Sequence, residues 1–389
     1  MGLRRKLVPL FKERFIKMKN RKMLNIIIAP DSFKGSLTAT EAAEAIKQGV
    51  EDAAAENGYS VTTTLLPMSD GGEGMADAFA TATRGNLVHV EVNDALMRRH
   101  DAVYCLKDNT AYIEVAQAVG LTLIEPEQRN PMCATSYGVG ELLADALRRG
   151  AQHMVVGLGG TATSDCGIGM LRALVQLLGK RDEHIDEVLN RHFHNITITL
   201  AADVTAPLCG PTGAAYTFAE QKGATHTMLP QLEQRARRFA EASARHFGFD
   251  RSGDNGAGAA GGLGYAFLQY FGASMRSGAE LLMECQQMDR LLATADWLVT
   301  GEGKSDRQTL MGKLPYRLLK HALQQNVKVA LLSGQTTEVE ALKAAGFTDL
   351  LAATPSQLSL VEALQPEVAK ANLSKAAKRW FNSQTTKHL

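Results

Sequence analysis

The chain has 389 residues, 45% of them hydrophobic and 21% charged, with a formal net charge of +1. That length asks for two domains or more, and the composition is that of an ordinary folded protein. No apolar stretch approaches the roughly 18 residues of a membrane span, so no membrane partner is expected. The five cysteines (Cys105, Cys133, Cys166, Cys209, Cys285) are scattered and never form a CxxC pair. They argue for a reducing, cytoplasmic setting and against a disulfide framework. Residues 1–22 carry nine Lys or Arg against one acid, a balance of +8, which leaves −7 for the rest of the chain. A mildly acidic body is a poor nucleic-acid binder, because phosphate contacts need clustered cations. The basic leader, taken as residues 1–23, lacks the apolar centre and cleavage site of a signal peptide. Its charge suits a tether to an anionic surface, but it reads better as an appended tail before a start near Met18 or Met23.

From Asn25 the chain repeats strand, loop and helix. The β-branched run Asn25–Ala29 reads as a central parallel strand, buried on both faces and ended by Pro30. Thr38 and Glu41 form a T-x-x-E capping box that starts a helix. A second strand, Val61–Leu66, ends at Pro67, and the loop MSDGGEG leads to a helix beginning near Met75. After Gly85 short strands follow at 87–92, 102–106 and 111–115 without helices between them, which points to a different, mixed domain. The earlier rhythm returns with strands at Trp297–Thr300, Val327–Leu332 and Leu350–Thr354. Two early units and three late ones predict a five-stranded, doubly wound parallel sheet. That domain spans 24–84 and 289–389 and is interrupted by a mixed α/β domain over 85–288.

In an open parallel sheet, ligands bind beyond the carboxyl ends of the strands. Three such ends combine flexible backbone, carboxylates and a cation. The first has Asp31, Ser32, Lys34 and Gly35; the second has Asp70, Gly71, Gly72, Glu73 and Gly74; the third has Gly301, Glu302, Gly303, Lys304 and Asp306. Any one of these loops alone reads better as a turn. Three on one sheet edge match the needs of phosphoryl transfer: cations and amides for phosphates, carboxylates for a metal, and a group to orient the attacking hydroxyl. A further loop, GLGGTATSDCG at 157–167, lies between a strand and a helix start and is expected to present amides to an anion.

Other grammars fail. GAGAAGGLG at 256–264 contains G-x-G-x-x-G but follows polar residues rather than a strand, so the dinucleotide reading is rejected in favour of a flexible loop or tight helix packing. There is no GxxxxGK[ST], and the protein-kinase HRD and DFG motifs are absent. GLGGTAT is similar to the GLGSSA loop of the GHMP sugar kinases, but their leading proline element is missing. In DNGAGA, Ala259 stands where ribokinase-like enzymes carry their catalytic Asp. His192 and His194 form an HxH pair, better read as surface or packing residues than as a metal site.

Taken in order, IAPDSFKGSLTATEAAEAI, MSDGGEGMADA, RNPMCATSYGVGEL, GLGGTATSDCGIGMLRAL, PLCGPTGAA, EQKGAT, GAGAAGGLG and TGEGKSDRQTL resemble the type I glycerate kinase family over about residues 24–315, and more weakly to 355. The resemblance implies a flavodoxin-like domain split by a second α/β domain, with the active site in the cleft between them. It implies ATP and Mg²⁺ as cosubstrates, D-glycerate as acceptor and 2-phosphoglycerate as product, with 3-phosphoglycerate as the alternative. It also implies a place in the breakdown of glyoxylate, glucarate or related compounds.

The roles expected from the chemistry are these. Lys34 and Arg276 neutralise the glycerate carboxylate or the transferring phosphoryl group, although Arg276 could instead pair with an acid such as Glu280. Asp70 or Asp203 orients and deprotonates the hydroxyl. Asp31, Ser32, Gly71, Gly72 and Glu73 contribute to substrate binding. Glu302 and Asp306 hold Mg²⁺, supported by Asp31. Gly157, Gly159, Gly160, Thr161, Thr163 and Ser164 cradle the nucleotide phosphates. Cys166 stands where the family usually has Gly, the segment between Leu178 and Thr197 is shorter than typical, and the basic leader has no family counterpart. A kinase for a related hydroxy acid or sugar acid is one alternative; a non-catalytic ligand sensor is another. A homodimer is compatible with either.

Overall fold

A computed structural model of the protein describes residues 23–386. The basic leader expected at the N-terminus lies, but for Met23, outside the described residues. The described chain divides into two compact units, residues 23–68 with 287–386 and residues 69–286.

The first unit holds five parallel strands, β1 (Leu24–Ile28), β2 (Val61–Leu65), β9 (Trp297–Thr300), β11 (Lys328–Ser333) and β13 (Asp349–Ala352), in the order β13-β11-β9-β1-β2. A two-stranded parallel pair, β10 (Lys304–Ser305) with β12 (Gln335–Thr336), stands beyond the main sheet. This is the expected doubly wound sheet. Its order reverses between β1 and β9, which is where such sheets take their ligands. Central β1 carries three consecutive isoleucines, all buried, as a strand covered on both faces requires. The helix Ala39–Asn57 starts on the predicted box: the Thr38 hydroxyl accepts the Glu41 amide, and the Glu41 carboxylate accepts the Thr38 amide. That helix packs on the C-terminal helix Pro366–Thr386. Gly49 permits the close crossing, since a Cβ there would lie 2.1 Å from the Ser374 carbonyl oxygen. Trp380 closes the same core edge-on against Trp297, with ring centroids 5.2 Å apart.

The second unit holds a six-stranded mixed sheet: β3 (Asn86–Asn93), β4 (Arg99–Lys107), β5 (Thr110–Glu114), β6 (His153–Gly157), β7 (Thr197–Ala201) and β8 (Ser274–Arg276), in that order. β3, β4 and β5 pair antiparallel, and β5 through β8 pair parallel. The units divide at Met68 and Ser69 rather than at 84 and 85, because the helix Met75–Thr83 packs on β3, β4 and β5. Its Phe79 stacks on Tyr112 of β5, with centroids 4.4 Å apart and planes at 16°. The MSDGGEG loop therefore belongs to the mixed sheet and not to the parallel one.

Candidate active site

In the first unit, the ends of β1 and β9 are tied together by the Asp31 amide, which donates to the Gly301 carbonyl at 2.9 Å. Asp31 Oδ1 accepts the Ser32 amide at 2.7 Å. Beyond it, buried Phe33 and Leu37 close a tight loop that leaves Lys34 and Gly35 exposed at its tip. Gly301 must be glycine here, since a Cβ would come within 1.9 Å of the Leu332 carbonyl oxygen. The 301–306 loop is pinned to the end of β11, where the Gly334 and Gln335 amides donate to the Glu302 and Gly303 carbonyls.

Glu302 and Asp306, expected to hold a metal, are otherwise engaged. Glu302 is buried; its Oε1 accepts the Thr309 hydroxyl at 2.6 Å and the Ser305 hydroxyl at 3.1 Å, and its Oε2 meets Lys313 Nζ at 3.4 Å. Ser305 in turn bonds Ser333 at 2.6 Å. Asp306 accepts the Gln308 amide at 2.8 Å and faces Lys304 Nζ at 3.4 Å. The Gln308 amide, ahead of Lys304, holds its carboxyl below the ordinary carboxylate range. Among the described residues no group of three His, Cys, Asp or Glu could hold a metal ion. Glu302 does not fit a resident Mg²⁺, because a carboxylate that already serves two hydroxyls and an ammonium has little left for a hard cation.

In the second unit, loops at the ends of β5, β6, β7 and β8 converge on the Asp70 loop. Gly71 (φ +98°) lies against β7: a Cβ there would stand 2.3 Å from the Ala201 carbonyl oxygen. A Cβ on Gly157 would meet the Gly71 carbonyl oxygen at 2.4 Å, one on Gly159 the Gly72 Cα at 2.6 Å, and one on Gly278 the Asp70 carbonyl oxygen at 2.4 Å. Glycine at these positions thus lets four backbone segments close on one another. Asp70 and Glu73 stay exposed, and Asp70 Oδ1 accepts the Gly72 amide at 3.2 Å. Exposed Asp203 follows β7 and accepts the Ser277 hydroxyl at 3.3 Å. Arg276 ends β8, exposed, and its guanidinium pairs with Glu284 rather than Glu280.

The 157–164 loop spends part of its backbone on packing. The Leu158, Gly159 and Ala162 amides donate to the carbonyls of Ala201, Gly71 and Val119, and the Cys166 amide donates to Gly261. Gly160 is exposed, but Thr161, Thr163 and Ser164 are buried. The glycine run at 256–264 is a packing element: a Cβ on Gly261 would strike the Thr163 carbonyl oxygen at 2.0 Å. Cys166 takes a left-handed φ of +55°, a conformation that favours glycine, and burial pushes its thiol well up.

Three buried charged groups beneath these loops escaped the sequence reading. Asp165 Oδ2 accepts the Ser136 amide and hydroxyl and the Gly169 amide at 2.8, 2.9 and 3.0 Å, fixing the start of helix Ile168–Leu178. Lys222 Nζ donates to the Thr163 carbonyl at 2.7 Å and the Thr161 hydroxyl at 3.2 Å; burial lowers its pKa to about 8. Glu114, last residue of β5, accepts the Met75 amide at 3.0 Å. Burial raises its pKa to about 7 against the pull of the Ala76 and Met75 amides, helped by the charges of Glu73 and Asp77. Lys222 sits in EQKGAT and Glu114 at a strand end, the place that singled out Asp203, so both were in plain view as letters.

A family model described as the glycerate kinase family matches residues 26–384. The chain belongs to the glycerate kinase family. It is thereby a kinase, and the likeness extends over whole chains. A glycerate kinase of Halalkalibacterium halodurans is 36% identical over 361 residues, 88% of this chain and 94% of that one. The glycerate 2-kinase of Escherichia coli K12 is 34% identical over 332 residues, 81% and 86% of the two chains. A crystal structure of a Salmonella typhimurium LT2 protein assigned as glycerate kinase 2 superposes with a TM-score of 0.76 at 35% identity, covering 94% of this chain and 100% of that one. The fold of that solved structure is thus shared. No helix among the described residues is long and apolar enough to cross a membrane.

Proposed function

We propose that this glycerate kinase transfers the γ-phosphoryl group of ATP to the 2-hydroxyl of D-glycerate, giving ADP and 2-phosphoglycerate. The observation that carries this reading is the convergence of Asp70, Asp203 and Arg276 at adjoining strand ends of the mixed sheet, in a chain of this family. Phosphoryl transfer asks the protein mainly for positioning and charge neutralisation. Asp70, exposed on a loop of closely packed glycines, takes the hydroxyl proton as the oxygen attacks the γ-phosphorus. Asp203, steadied by Ser277, orients the same hydroxyl. Arg276 meets the glycerate carboxylate and the charge on the transferring group, leaving Glu284 to do so. Gly71, Gly72 and Glu73 shape the acceptor's surroundings. The 157–164 loop serves the nucleotide by its shape and by exposed Gly160.

The nucleotide substrate would be Mg·ATP, whose metal would supply positive charge to the phosphates. We place the enzyme in the cytoplasm, consistent with five cysteines that are all free thiols. It would there serve the breakdown of compounds that yield glycerate. Phosphorus NMR of the reaction mixture tests the regiochemistry: a 2-phosphoglycerate signal is expected, and a 3-phosphoglycerate signal would move the attack to the other hydroxyl. D70N should lose well over tenfold in kcat. If D203N loses tenfold while D70N does not, Asp203 is the base.

A further inference from the structure

Glu114 bears on two loops at once. Its carboxylate, only 1% exposed, accepts the Met75 amide at the point where the Asp70-Gly-Gly-Glu-Gly loop becomes helix Met75–Thr83. The helix has no side-chain cap from its own Gly74, so Glu114 supplies from another strand what an N-cap residue would supply locally. On its other side Glu114 pairs in register with Gly157, and the next residue, Val115, donates its amide to the Gly157 carbonyl. Gly157 in turn lies against the Gly71 carbonyl and the Met75 side chain. A buried carboxylate is costly to keep, and hydrophobic packing alone would have been served better by an apolar residue.

We propose that Glu114 is a positioning residue that sets the reach of the Asp70 loop by holding the Met75 amide against the end of β5. This rests on the reading of Asp70 as a group of the glycerate kinase reaction. Glu114 is placed to act through the loop and does not itself touch the reacting atoms. A displacement of about 1 Å in a loop that carries a reacting group can cost on the order of a hundredfold in rate.

Reach and charge separate cleanly by substitution. E114Q keeps the length and one acceptor oxygen for Met75 while removing the charge. E114D keeps the charge but withdraws it by one methylene. Positioning predicts that E114D loses tenfold or more in kcat with the KM for ATP within threefold, whereas E114Q keeps kcat within threefold of wild type. The reverse order, with Gln worse than Asp, overturns the proposal in favour of a role for the charge. Equal, near-wild-type kcat in both variants overturns it as well and leaves Glu114 a structural residue. Amide hydrogen exchange over residues 70–76 gives a readout independent of activity: faster exchange in E114D than in E114Q is expected, and no difference contradicts the proposal. If wild-type enzyme fails to turn over D-glycerate, the functional reading falls, and the exchange experiment still decides whether Glu114 holds the loop.

Discussion

Lys222 donates to the Thr163 carbonyl at 2.7 Å from beneath the glycine loop, a buried cation holding a backbone oxygen that no strand partner reaches. The loop's exposed turn at Gly160 thus rests on a floor of Lys222 and Asp165. Replacing Lys222 by Met leaves the Thr163 oxygen without that donor at a cost of about 1–3 kcal/mol. The loss should appear in urea unfolding at pH 7. The gap also has a pH signature. Lys222 has its pKa lowered to about 8 from 10.5, so the folded protein gives up this proton before the unfolded chain does. Wild type should therefore gain stability relative to K222M as pH rises from about 8 towards 10.5. A gap that stays constant over this window contradicts the burial of the charge.

Glu114 titrates in the opposite sense. Burial raises its folded pKa from 4.5 to about 7, so between those values the folded protein retains a proton that the unfolded chain has lost. Its contribution is most favourable below pH 4.5 and is lost as pH rises through 7, by roughly 3 kcal/mol in all. E114Q should remove this component: its stability, compared with wild type by chemical denaturation, should improve steadily from pH 5 to pH 8. A flat difference would mean that Glu114 ionises as an ordinary carboxylate.

Gly71 and Gly74 share a loop and a left-handed φ, +98° and +81°, but not an environment. A Cβ at Gly74 meets nothing within 4 Å, whereas one at Gly71 strikes the Ala201 carbonyl oxygen at 2.3 Å. G74A should cost only the conformational penalty of about 1–2 kcal/mol and keep most activity. G71A must also push the loop off β7, and we expect a larger loss of stability and at least tenfold lower kcat. Equal effects in thermal unfolding and turnover would show that the close approach does not matter.

Glu302 gives the metal prediction. Because its carboxylate is taken up by Thr309, Ser305 and Lys313, E302Q should weaken the fold but leave the Mg²⁺ concentration for half-maximal rate within threefold. T309V should cost about 1–2 kcal/mol by leaving one lone pair of a buried carboxylate unmet. A tenfold shift in Mg²⁺ requirement for E302Q would restore Glu302 as a ligand.

The parallel sheet was legible because its signals are local: three isoleucines before Pro30, a capping box at Thr38, and short apolar runs ending in glycine loops. The expected edges differ from the observed strands by one or two residues, as in Leu24–Ile28 against 25–29. The loops proposed to carry chemistry drew notice for the same reason, since Asp and Gly at strand ends stand out in sequence. What could not be read was which sheet each loop serves. The MSDGGEG loop follows a strand of the parallel sheet, yet Phe79 stacking on Tyr112 draws its helix to the other unit. Nor does sequence tell an offered amide from a used one. The glycines at 157–160 suggested a cradle; they also allow backbone to approach backbone, and the amides of Leu158 and Gly159 are spent on Ala201 and Gly71. Glu114 and Lys222 stayed hidden because their roles depend on burial and on partners 39 and 59 residues away.

The most direct test of the central claim is ADP release from Mg·ATP as D-glycerate is titrated. The account predicts release that is absent without D-glycerate and saturates with it. Release that is indifferent to D-glycerate, or none at all, would contradict it.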